Sequence, residues 1–557
     1  MQMTGAQIVI ETLIEQGTEV VFGYPGGTVN DIYDQLYQNK DRIRHILCSH
    51  EQGGTHAADG YSRASGKTGV MIATSGPGAT NTVTGVATAY MDSIPLVVLT
   101  GNVSISVMGQ DNFQEVDIMG TTMGIVKHSY RVEKVEELAD TIREAFYLAR
   151  EGRPGPVLID ILKDVQTAKC EFTQAGVIPY EPAARCSEEE IDAAVKLMEE
   201  SRRPIIYVGG GAIYAGAEES ILKLAQLLDA PISTSLMGVD AVPADTEGYL
   251  GMSGMHGHYA STKAISEADL YVAVGARFSD RSVGNKEKYA SRARIVHIDV
   301  DPAEINKNID SDVDLIGDAN EVLKRIIAKV KGSRKPEWKA EIARMKEYEK
   351  KREPYFEGPL TPYGIIDAVC ERVPEDTPVV TDVGEHQMWV AQRYRFRRPR
   401  TFLTSGGFGT MGFGMGAANG AATATGKRSI LFTGDGSFAM NMMELGTAVT
   451  ENIPVTVIVF NNGTLGMVRE LQKFFVNEHY FATTTNRKTD FAALAEAFGA
   501  KGFKAATPEE FSEALEGALA AEGPSLIECM ISPDELVYPM VPPNKSVDEI
   551  MLQEERS

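Results

Sequence analysis

The chain has 557 residues, of which 43% are hydrophobic and 24% are charged. These are ordinary globular values, so extensive disorder and fibrous repeats are excluded, and the length predicts roughly three or four folded units. With 54 basic and 77 acidic residues the net charge is −23, which disfavours nucleic acid and anionic lipid as partners. Five scattered cysteines without a C-x-x-C pair, and the absence of any apolar run approaching ~18 residues, predict a cytoplasmic protein that does not span a membrane.

The first third of the sequence alternates predicted helices and strands. Thr4 is a candidate N-cap for a helix that stops at Gly17. Strands are predicted at 20–22, 43–48, 70–74, 95–100 and 156–162, with helices at 81–90 and 135–150 among them. Such alternation is typical of a parallel sheet covered on both faces, and it predicts a first domain over residues 1–180.

A second domain is predicted to start at Ser187, after a linker rich in Pro and Ala at 178–185. Ser187 followed by three glutamates is typical of a helix start. Strands are predicted at 204–208, 231–235, 270–274 and 295–299. A lysine-rich helix around 330–352 closes this domain, which we place at 187–345.

After Pro359 the pattern restarts with a predicted helix at 362–372 and a strand at 378–383. This helix-then-strand opening repeats the one near the N-terminus, which indicates duplication, with chance similarity as the alternative. The predicted fold is therefore α/β, with three doubly wound parallel-sheet domains, the two outer ones similar to each other. The third domain covers 360–540, and a charged tail covers 541–557.

The strongest chemical signal lies at the ends of two neighbouring strands of the third domain. The run Gly434-Asp435-Gly436-Ser437 follows a strand predicted at 429–433, and Asn462 follows the next strand at 454–460, after a crossover helix at 440–451. Carboxyl ends of parallel strands form a ligand crevice. A carboxylate, a carboxamide and a nearby backbone carbonyl would bind Mg²⁺ together with diphosphate oxygens. Two unrelated turns are the alternative.

This spacing resembles the thiamine diphosphate motif of the decarboxylase and carboligase superfamily. In that superfamily a glutamate from the first domain of one subunit activates thiamine held by the third domain of another subunit. The matching position here is Glu51, in His50-Glu51-Gln52-Gly53. A carboxylate hydrogen-bonded to the pyrimidine ring favours the imino tautomer that acts as the base. The alternative is a glutamate that merely stabilises a helix N-terminus.

Within the superfamily, the chain is most similar to the large catalytic subunits of acetohydroxyacid synthase, also called acetolactate synthase. The similarity extends over nearly the whole chain and includes Gly23-Tyr24-Pro25-Gly26-Gly27, Thr74-Ser75-Gly76-Pro77-Gly78, Asn112-Phe113-Gln114-Glu115, Gly254-Met255-His256-Gly257 and Leu465-Gly466-Met467-Val468. Each stretch is weak alone, and their order carries the resemblance.

The resemblance implies a set of thiamine diphosphate and Mg²⁺ contacts. Catalytic positions would be Glu51, Gly27, Phe113, Gln114 and Lys163. Mg²⁺ would bind to Asp435, Asn462 and the backbone oxygen of Thr464. The remaining cofactor contacts would be Pro25, Gly26, Val383, Gly384, Glu385, His386, Gly409, Met411, Gly434, Gly436, Ser437 and Leu465.

The resemblance also implies FAD in the middle domain, in a structural role. The matching positions are Arg153, Gly209, Gly210, Gly211, Ser235, Leu236, Met237, Gly254, Met255, His256, Gly257, Arg277, Asp299 and Asp318. Taken alone, the glycine run fits a diphosphate at a helix N-terminus as well as a closely packed turn. His256 alone fits a structural hydrogen bond equally well.

The implied reaction decarboxylates pyruvate and transfers the two-carbon unit to a second 2-ketoacid, pyruvate or 2-ketobutyrate, at the start of branched-chain amino acid biosynthesis. Substrate contacts would come from Arg281, Met467, Val468 and Leu471. Arg281 suits a carboxylate because its guanidinium can bind bidentately, and a surface pair with Asp280 is the alternative. The family usually has tryptophan at position 471, so leucine predicts a weaker preference for 2-ketobutyrate.

Partners follow from the same resemblance. A homodimer or homotetramer is implied, because the glutamate and the diphosphate site belong to different subunits, and a regulatory small subunit is implied as well.

The G-x-G-x-x-G match at Gly407–Gly412 is assigned to thiamine rather than a dinucleotide. The run Ser65-Gly66-Lys67-Thr68 lacks the preceding strand of a P-loop, so no ATPase is predicted.

Three rival functions remain open at this point. A flavin-independent catabolic acetolactate synthase would lack a flavin spectrum. A pyruvate oxidase-type flavoenzyme would consume oxygen with pyruvate. A non-catalytic scaffold subunit would show no turnover, although Glu51, Asp435 and Asn462 are all present.

Overall fold

The computed structural model describes residues 1–485 and 487–553 and contains three six-stranded parallel sheets flanked by helices. The predicted α/β class with three doubly wound sheets is confirmed. Central strands such as Pro156–Leu162 are buried at every residue, as expected when helices cover both faces of a parallel sheet.

The first sheet has the strand order β3-β2-β4-β5-β7-β6, and β1 and β8 form a separate antiparallel pair. Strands β1–β8 are Gln2–Thr4, Val20–Tyr24, Arg44–Leu47, Gly69–Ala73, Leu96–Asn102, His128–Val132, Pro156–Leu162 and Lys169–Glu171. Helices α1–α8 are Gly5–Glu15, Asn30–Gln38, Glu51–Ser65, Pro77–Asn81, Val83–Asp92, Ile118–Thr122, Val135–Arg150 and Lys163–Thr167. Thr4 caps α1 through a capping box, as predicted.

The middle sheet has the order β11-β10-β9-β12-β13-β14. Strands β9–β14 are Pro204–Val208, Ile232–Thr234, Tyr249–Met252, Leu270–Val274, Arg294–Asp299 and Val313–Ile316. Helices α9–α15 are Glu188–Glu200, Gly210–Tyr214, Glu218–Leu228, Tyr259–Glu267, Asp280–Val283, Ala319–Ile327 and Pro336–Lys350. The strand order reverses direction between β9 and β12, which is where doubly wound sheets bind ligands.

The third sheet has the order β16-β15-β17-β18-β20-β19. Strands β15–β20 are Val379–Thr381, Phe402–Leu403, Ser429–Gly434, Val455–Asn461, Lys501–Ala505 and Ser525–Met530. Helices α16–α23 are Pro362–Arg372, Glu385–Arg393, Phe413–Thr425, Asp435–Asn441, Glu444–Thr450, Gly466–Phe475, Phe491–Phe498 and Pro508–Ala520. The outer sheets share one topology, since β15–β20 are arranged as β2–β7 are, and the middle sheet differs.

Some predicted elements differ from those in the structure. The helix predicted at 81–90 corresponds to α5, and only Asn81 of that range belongs to the preceding short helix α4. The crossover helix predicted at 440–451 is divided between the end of α19 and α20. The lysine-rich helix begins at Pro336 rather than near residue 330, because proline is favoured in the first helical turn.

The described part of the predicted tail, 541–553, packs against the middle domain. Asn285 donates its backbone N–H to the carbonyl of Lys545, and Val547 is buried in the same hydrophobic cluster as Trp338. Residues 554–557 of that tail lie outside the described residues. None of the helices in the described ranges combines the length and apolar character needed to cross a bilayer.

Helices α3 and α18 join the first and third domains at very close range. A Cβ on Gly60 would overlap the carbonyl of Ala417, and a Cβ on Gly420 would overlap the carbonyl of Ala57. The two Ala-x-x-Gly pairs therefore make reciprocal contacts. One hydrophobic cluster runs through both domains, with Tyr61 and other residues of α3 packed among those of α18.

Replacing Gly420 with alanine is expected to destabilise the protein, because the new methyl group has no space against α3. Overpacking of this kind costs about 1–3 kcal/mol, so the urea midpoint should fall. Gly124→Ala is the matched control, since a Cβ there meets nothing within 4 Å. Equal midpoints for G420A and G124A would contradict the close helix contact.

Candidate active site

The structure brings Asp435 and the Asn462 turn together at the carboxyl edge of the third sheet. Strands β17 and β18 pair with Gly434 opposite Phe460, so both chains leave the sheet side by side. Thr485 links the two turns, because its hydroxyl lies within hydrogen-bond distance of two acceptors, Asp435 Oδ2 at 3.3 Å and the Gly463 carbonyl at 3.0 Å. Thr464 donates its N–H to Asn462 Oδ1 at 3.0 Å. The predicted metal-binding residues therefore lie together where the turns after β17 and β18 meet, which we call the junction.

The chemistry of this junction suits a divalent cation. Asp435 is 2% exposed, and burial raises the pKa of its carboxyl group. A bound cation would offset the cost of burying that charge. The Thr464 hydroxyl is also buried without a hydrogen-bond partner among the described residues. No cluster of three or more His, Cys, Asp or Glu suited to a metal occurs in the described ranges, as expected for a set with one carboxylate.

The turn between β15 and α17 lies against the same junction. Ser437 donates to the Val383 carbonyl at 2.7 Å, and Asn462 Nδ2 donates to Glu385 Oε2 at 3.4 Å. A Cβ on Gly434 would lie 3.2 Å from His386 Nδ1. Burial lowers the pKa of His386 to about 3, so the imidazole is neutral near pH 7, and it stacks on Phe460.

Gly409 and Met411 lie in the loop before α18. Gly409 has φ +68°, and a Cβ there would meet no atom within 4 Å. A Cβ on Gly436 would lie 3.7 Å from Met411 Cε and 2.7 Å from the side chain of Leu465. Met411, Gly436 and Leu465, three of the predicted thiamine contacts of the third domain, are thus neighbours.

Glu51 is the first residue of α3 and is only 8% exposed. Asn81 Nδ2 donates to Glu51 Oε2 at 2.9 Å, and a Cβ on Gly78 would lie 3.1 Å from the other carboxylate oxygen. A glutamate that only decorates a helix end would remain solvated, whereas this one is buried and oriented. Its position is therefore compatible with the predicted role.

The other residues predicted near the thiazolium lie in the first domain. Lys163 pairs with Asp31 and donates to the Gly27 carbonyl at 3.4 Å, so Lys163 and Gly27 are brought together. Gln114 has φ +59°, and a Cβ on Gly76 would lie 2.9 Å from its Cα. Phe113 is 87% exposed in the single chain. The neighbouring Pro25-Gly26 segment lies against Thr74, which a Cβ on Gly26 would overlap.

The glycine run of the middle domain lies at the switch point between β9 and β12. A Cβ on Gly209 would overlap the Gly275 carbonyl, and a Cβ on Gly211 would lie 2.9 Å from the Gly275 Cα. Close packing therefore accounts for these two glycines without a ligand. Gly210 faces Met237, which follows Ser235 and Leu236 in a short 3₁₀ turn.

Some of the other residues predicted to contact FAD have a structural role in the chain, and the others have no assigned role. Asp318 accepts from the N–H groups of Asn320 and Glu321 as the N-cap of α14, and Arg153 pairs with Glu304 at 2.6 Å. Burial raises the pKa of Asp299 to about 6. In the Gly254-Met255-His256-Gly257 stretch, Gly254 has φ +106°. Burial lowers the pKa of His256 to about 4, and His256 Nδ1 has no partner among the described residues.

The predicted substrate residues belong to two surfaces. Arg281 is two-thirds exposed, lies 3.7 Å from Asp280, and borders a cleft lined by Val541–Asn544 of the C-terminal segment. Helix α21 carries Met467 and Leu471, which are half-buried, and Val468, which is 46% exposed.

Glu470 lies beside Leu471 on α21 and was not predicted from the sequence. Its side chain is fully buried, and Oε2 accepts the N–H of Val537 at 2.7 Å. The other oxygen has no partner among the described residues. Burial raises the pKa of Glu470 to about 7. Burial and then the neighbouring Glu470 raise the pKa of Glu385.

Asn81, Thr485 and Glu470 are site residues that sequence patterns missed. Each lies far along the chain from the group it contacts, so no local motif connects the two. Asp382 is a further one, since its buried carboxylate accepts the N–H groups of Val383 and Gly412.

Replacing Glu470 with glutamine is expected to stabilise the protein more at pH 8 than at pH 5. The raised pKa means that folded Glu470 keeps its proton between pH 4.5 and about 7, while the unfolded side chain loses it. Wild-type stability therefore falls as pH rises through this window, by up to about 3 kcal/mol. Melting temperatures of both proteins at pH 5, 6, 7 and 8 provide the measurement. If the difference in melting temperature between the two proteins stayed constant from pH 5 to pH 8, it would contradict the raised pKa of Glu470.

Three family models match the chain in order. They are the thiamine pyrophosphate enzyme N-terminal TPP binding domain at residues 3–121, the central domain at 191–326 and the C-terminal TPP binding domain at 382–529.

Whole-chain relatives agree with these matches. A probable acetolactate synthase large subunit of Methanocaldococcus jannaschii is 41% identical, covering 99% of this chain and 95% of the relative. The acetolactate synthase isozyme 2 large subunit of Escherichia coli is 42% identical, covering 99% of both chains. An acetolactate synthase large subunit of Parasynechococcus marenigrum is 44% identical, covering 98% of this chain and 90% of the relative. The chain therefore belongs to the acetolactate synthase large-subunit family of thiamine pyrophosphate enzymes.

Proposed function

We propose that this chain is the catalytic subunit of an acetolactate synthase. It would decarboxylate pyruvate and join the two-carbon unit to a second 2-ketoacid, giving 2-acetolactate or 2-aceto-2-hydroxybutyrate for branched-chain amino acid biosynthesis. The observation that carries the proposal is the pairing of Asp435 with the Asn462 turn at adjacent strand ends, in a chain whose relatives are acetolactate synthases.

Thiamine diphosphate, when bound, supplies the nucleophilic carbon and the electron sink for decarboxylation. Glu51 would hold and return the proton at the pyrimidine ring, because its carboxylate is buried and fixed by Asn81. A water-poor surrounding strengthens such a hydrogen bond. Gly27 and Lys163 would border the substrate beside Phe113 and Gln114.

The diphosphate group and Mg²⁺ would be held at the third domain. Asp435, Asn462 and the Thr464 carbonyl form a hard oxygen donor set of the kind Mg²⁺ prefers. The open space at Gly409 leaves room for backbone contact with the cofactor. The neutral imidazole of His386 could donate a hydrogen bond there without adding charge.

A site shared between two subunits is supported by the position of Glu51 within one chain. Residues around Glu51 contact Glu444, since Ser49 and His50 donate their N–H groups to its carboxylate. Glu444 follows α19, whose seven residues begin at Asp435 and span about 10 Å. Glu51 is thus near the end of α19 that is farther from Asp435. The diphosphate site of a second copy would be better placed for contact with Glu51 than the site of the same chain. We therefore propose a homodimer or a homotetramer.

A regulatory small subunit is supported by the relatives named large subunits. A cytoplasmic location is supported by the five cysteines, all of them free, as is usual in reducing compartments.

FAD is proposed in the middle domain in a structural role. The strand order reverses there, and Gly210, Met237 and Arg277 lie near that carboxyl edge. Buried His256 retains an unpartnered nitrogen among the described residues. A flavin absorbance spectrum in purified protein would support this assignment, and a colourless active enzyme would favour the flavin-independent alternative.

Glu51→Gln is expected to lower the rate of acetolactate formation by ~10²–10⁴-fold, because glutamine cannot exchange the proton. The assay measures turnover of pyruvate with thiamine diphosphate and Mg²⁺, and chelating the metal should abolish wild-type activity. Glu136→Gln is the matched control, since Glu136 is an exposed glutamate in the first turn of a helix. Full activity of E51Q would refute the proposed role.

Leu471→Trp is expected to shift acceptor choice towards 2-ketobutyrate. A larger ring can pack against the extra methyl group, which is worth about 1–3 kcal/mol, or about tenfold or more. The measurement is the product ratio with pyruvate and 2-ketobutyrate at equal concentrations. Leu471→Met conserves volume and should keep the wild-type ratio. Strong dominance of 2-aceto-2-hydroxybutyrate in the wild type would contradict the assignment of Leu471.

A further inference from the structure

The loop that contains Gly409 and Met411 is held from outside its own domain. The N–H of Gly407 donates to Asp92 Oδ1 at 2.7 Å, and the N–H of Gly406 donates to Asp92 Oδ2 at 3.2 Å. Asp92 is the last residue of α5 in the first domain. One carboxylate thus orients two successive backbone donors of a loop in another domain.

The charge of Asp92 is balanced inside the protein. Its side chain is fully buried, and Arg63 donates to Asp92 Oδ2 at 2.9 Å. Arg63 also pairs with Asp59 and donates to the Thr404 carbonyl at 2.8 Å. A buried ion pair is stable only if its remaining hydrogen bonds are satisfied. Asp92 and Arg63 each make some of these hydrogen bonds to backbone groups of the same loop.

A second contact from α5 fixes the far side of the loop. The hydroxyls of Thr88 and Thr410 lie 2.7 Å apart, and Ser405 Oγ accepts the N–H of Thr410 at 3.0 Å. Between the two anchored positions, Gly409 has open space at its Cβ position. The contacts therefore fix the ends of the loop and leave its centre free for a ligand.

We propose that Asp92 is a positioning residue for thiamine diphosphate. It holds the loop in the conformation in which Gly409 and Met411 receive the cofactor, an inference that rests on the proposed function for those contacts. Without Asp92 the loop amides would bond to water in several conformations. Apparent affinity falls in proportion to the fraction of protein in the competent conformation.

Asp92→Asn tests this proposal, because asparagine keeps the shape but can accept fewer hydrogen bonds. Hydrogen exchange of residues 404–412 is measured in protein without cofactor, and thiamine diphosphate with Mg²⁺ is titrated by calorimetry. We expect faster exchange in the loop, unchanged exchange in Ser429–Gly434, and a dissociation constant raised about tenfold. The kcat at saturating cofactor should stay within about twofold, since the loaded conformation is the same.

Asp269→Asn is the matched control, because the Asp269 carboxylate likewise accepts two successive backbone N–H groups, those of Arg202 and Arg203, in the middle domain. It should leave loop exchange and cofactor affinity at wild-type values. Thr88→Val is a milder second variant in case D92N fails to fold, and it should change both readouts in the same direction. Wild-type affinity and wild-type loop exchange in the folded variants would overturn the proposal. Absence of cofactor binding by the wild type would overturn the proposed function and this inference with it.

Discussion

The proposed chemistry depends on two oxygen donors reaching the same edge of a parallel sheet. Asp435 and Asn462 do so because β17 and β18 are hydrogen-bonded neighbours that run in the same direction. Burial makes the Asp435 carboxylate costly to ionise without a partner, and a divalent cation bound to a diphosphate would offset that cost. The loop that contains Gly409, the turn that contains His386 and the hydroxyl of Thr485 are all arranged around the place where this cation would bind.

Much of the fold could be predicted, because its elements have strong local signals. The strands Pro156–Leu162, Pro204–Val208 and Leu270–Val274 were predicted with these bounds, since short apolar runs between turn residues are typical of buried parallel strands. The helix predicted to start at Ser187 does so, with Ser187 as its N-cap in a capping box. The breaks between α4 and α5 and between α19 and α20 were missed, because neither contains a proline or a glycine to mark it.

The candidate site was predictable only where a motif is local. Asp435 and Asn462 follow strands directly, so the sheet rules place them together. Glu51 needed a family resemblance, because a lone glutamate at a helix start has many explanations. Its partner Asn81 and the Asp92 contact to Gly407 depend on how α3, α5 and the third domain pack. Tertiary packing brings these groups together, and no spacing in the sequence encodes it.

The reciprocal contact of α3 and α18 connects the duplication to the site. These helices occupy equivalent places in the two outer sheets, each between the second and third strands of its domain, and their Ala-x-x-Gly pairs face each other. Glu51 precedes Gly60 by the same number of residues as Met411 precedes Gly420. The two residues proposed to contact thiamine therefore stand at equivalent positions of a duplicated fold. One copy presents a carboxylate at this position and the other a thioether.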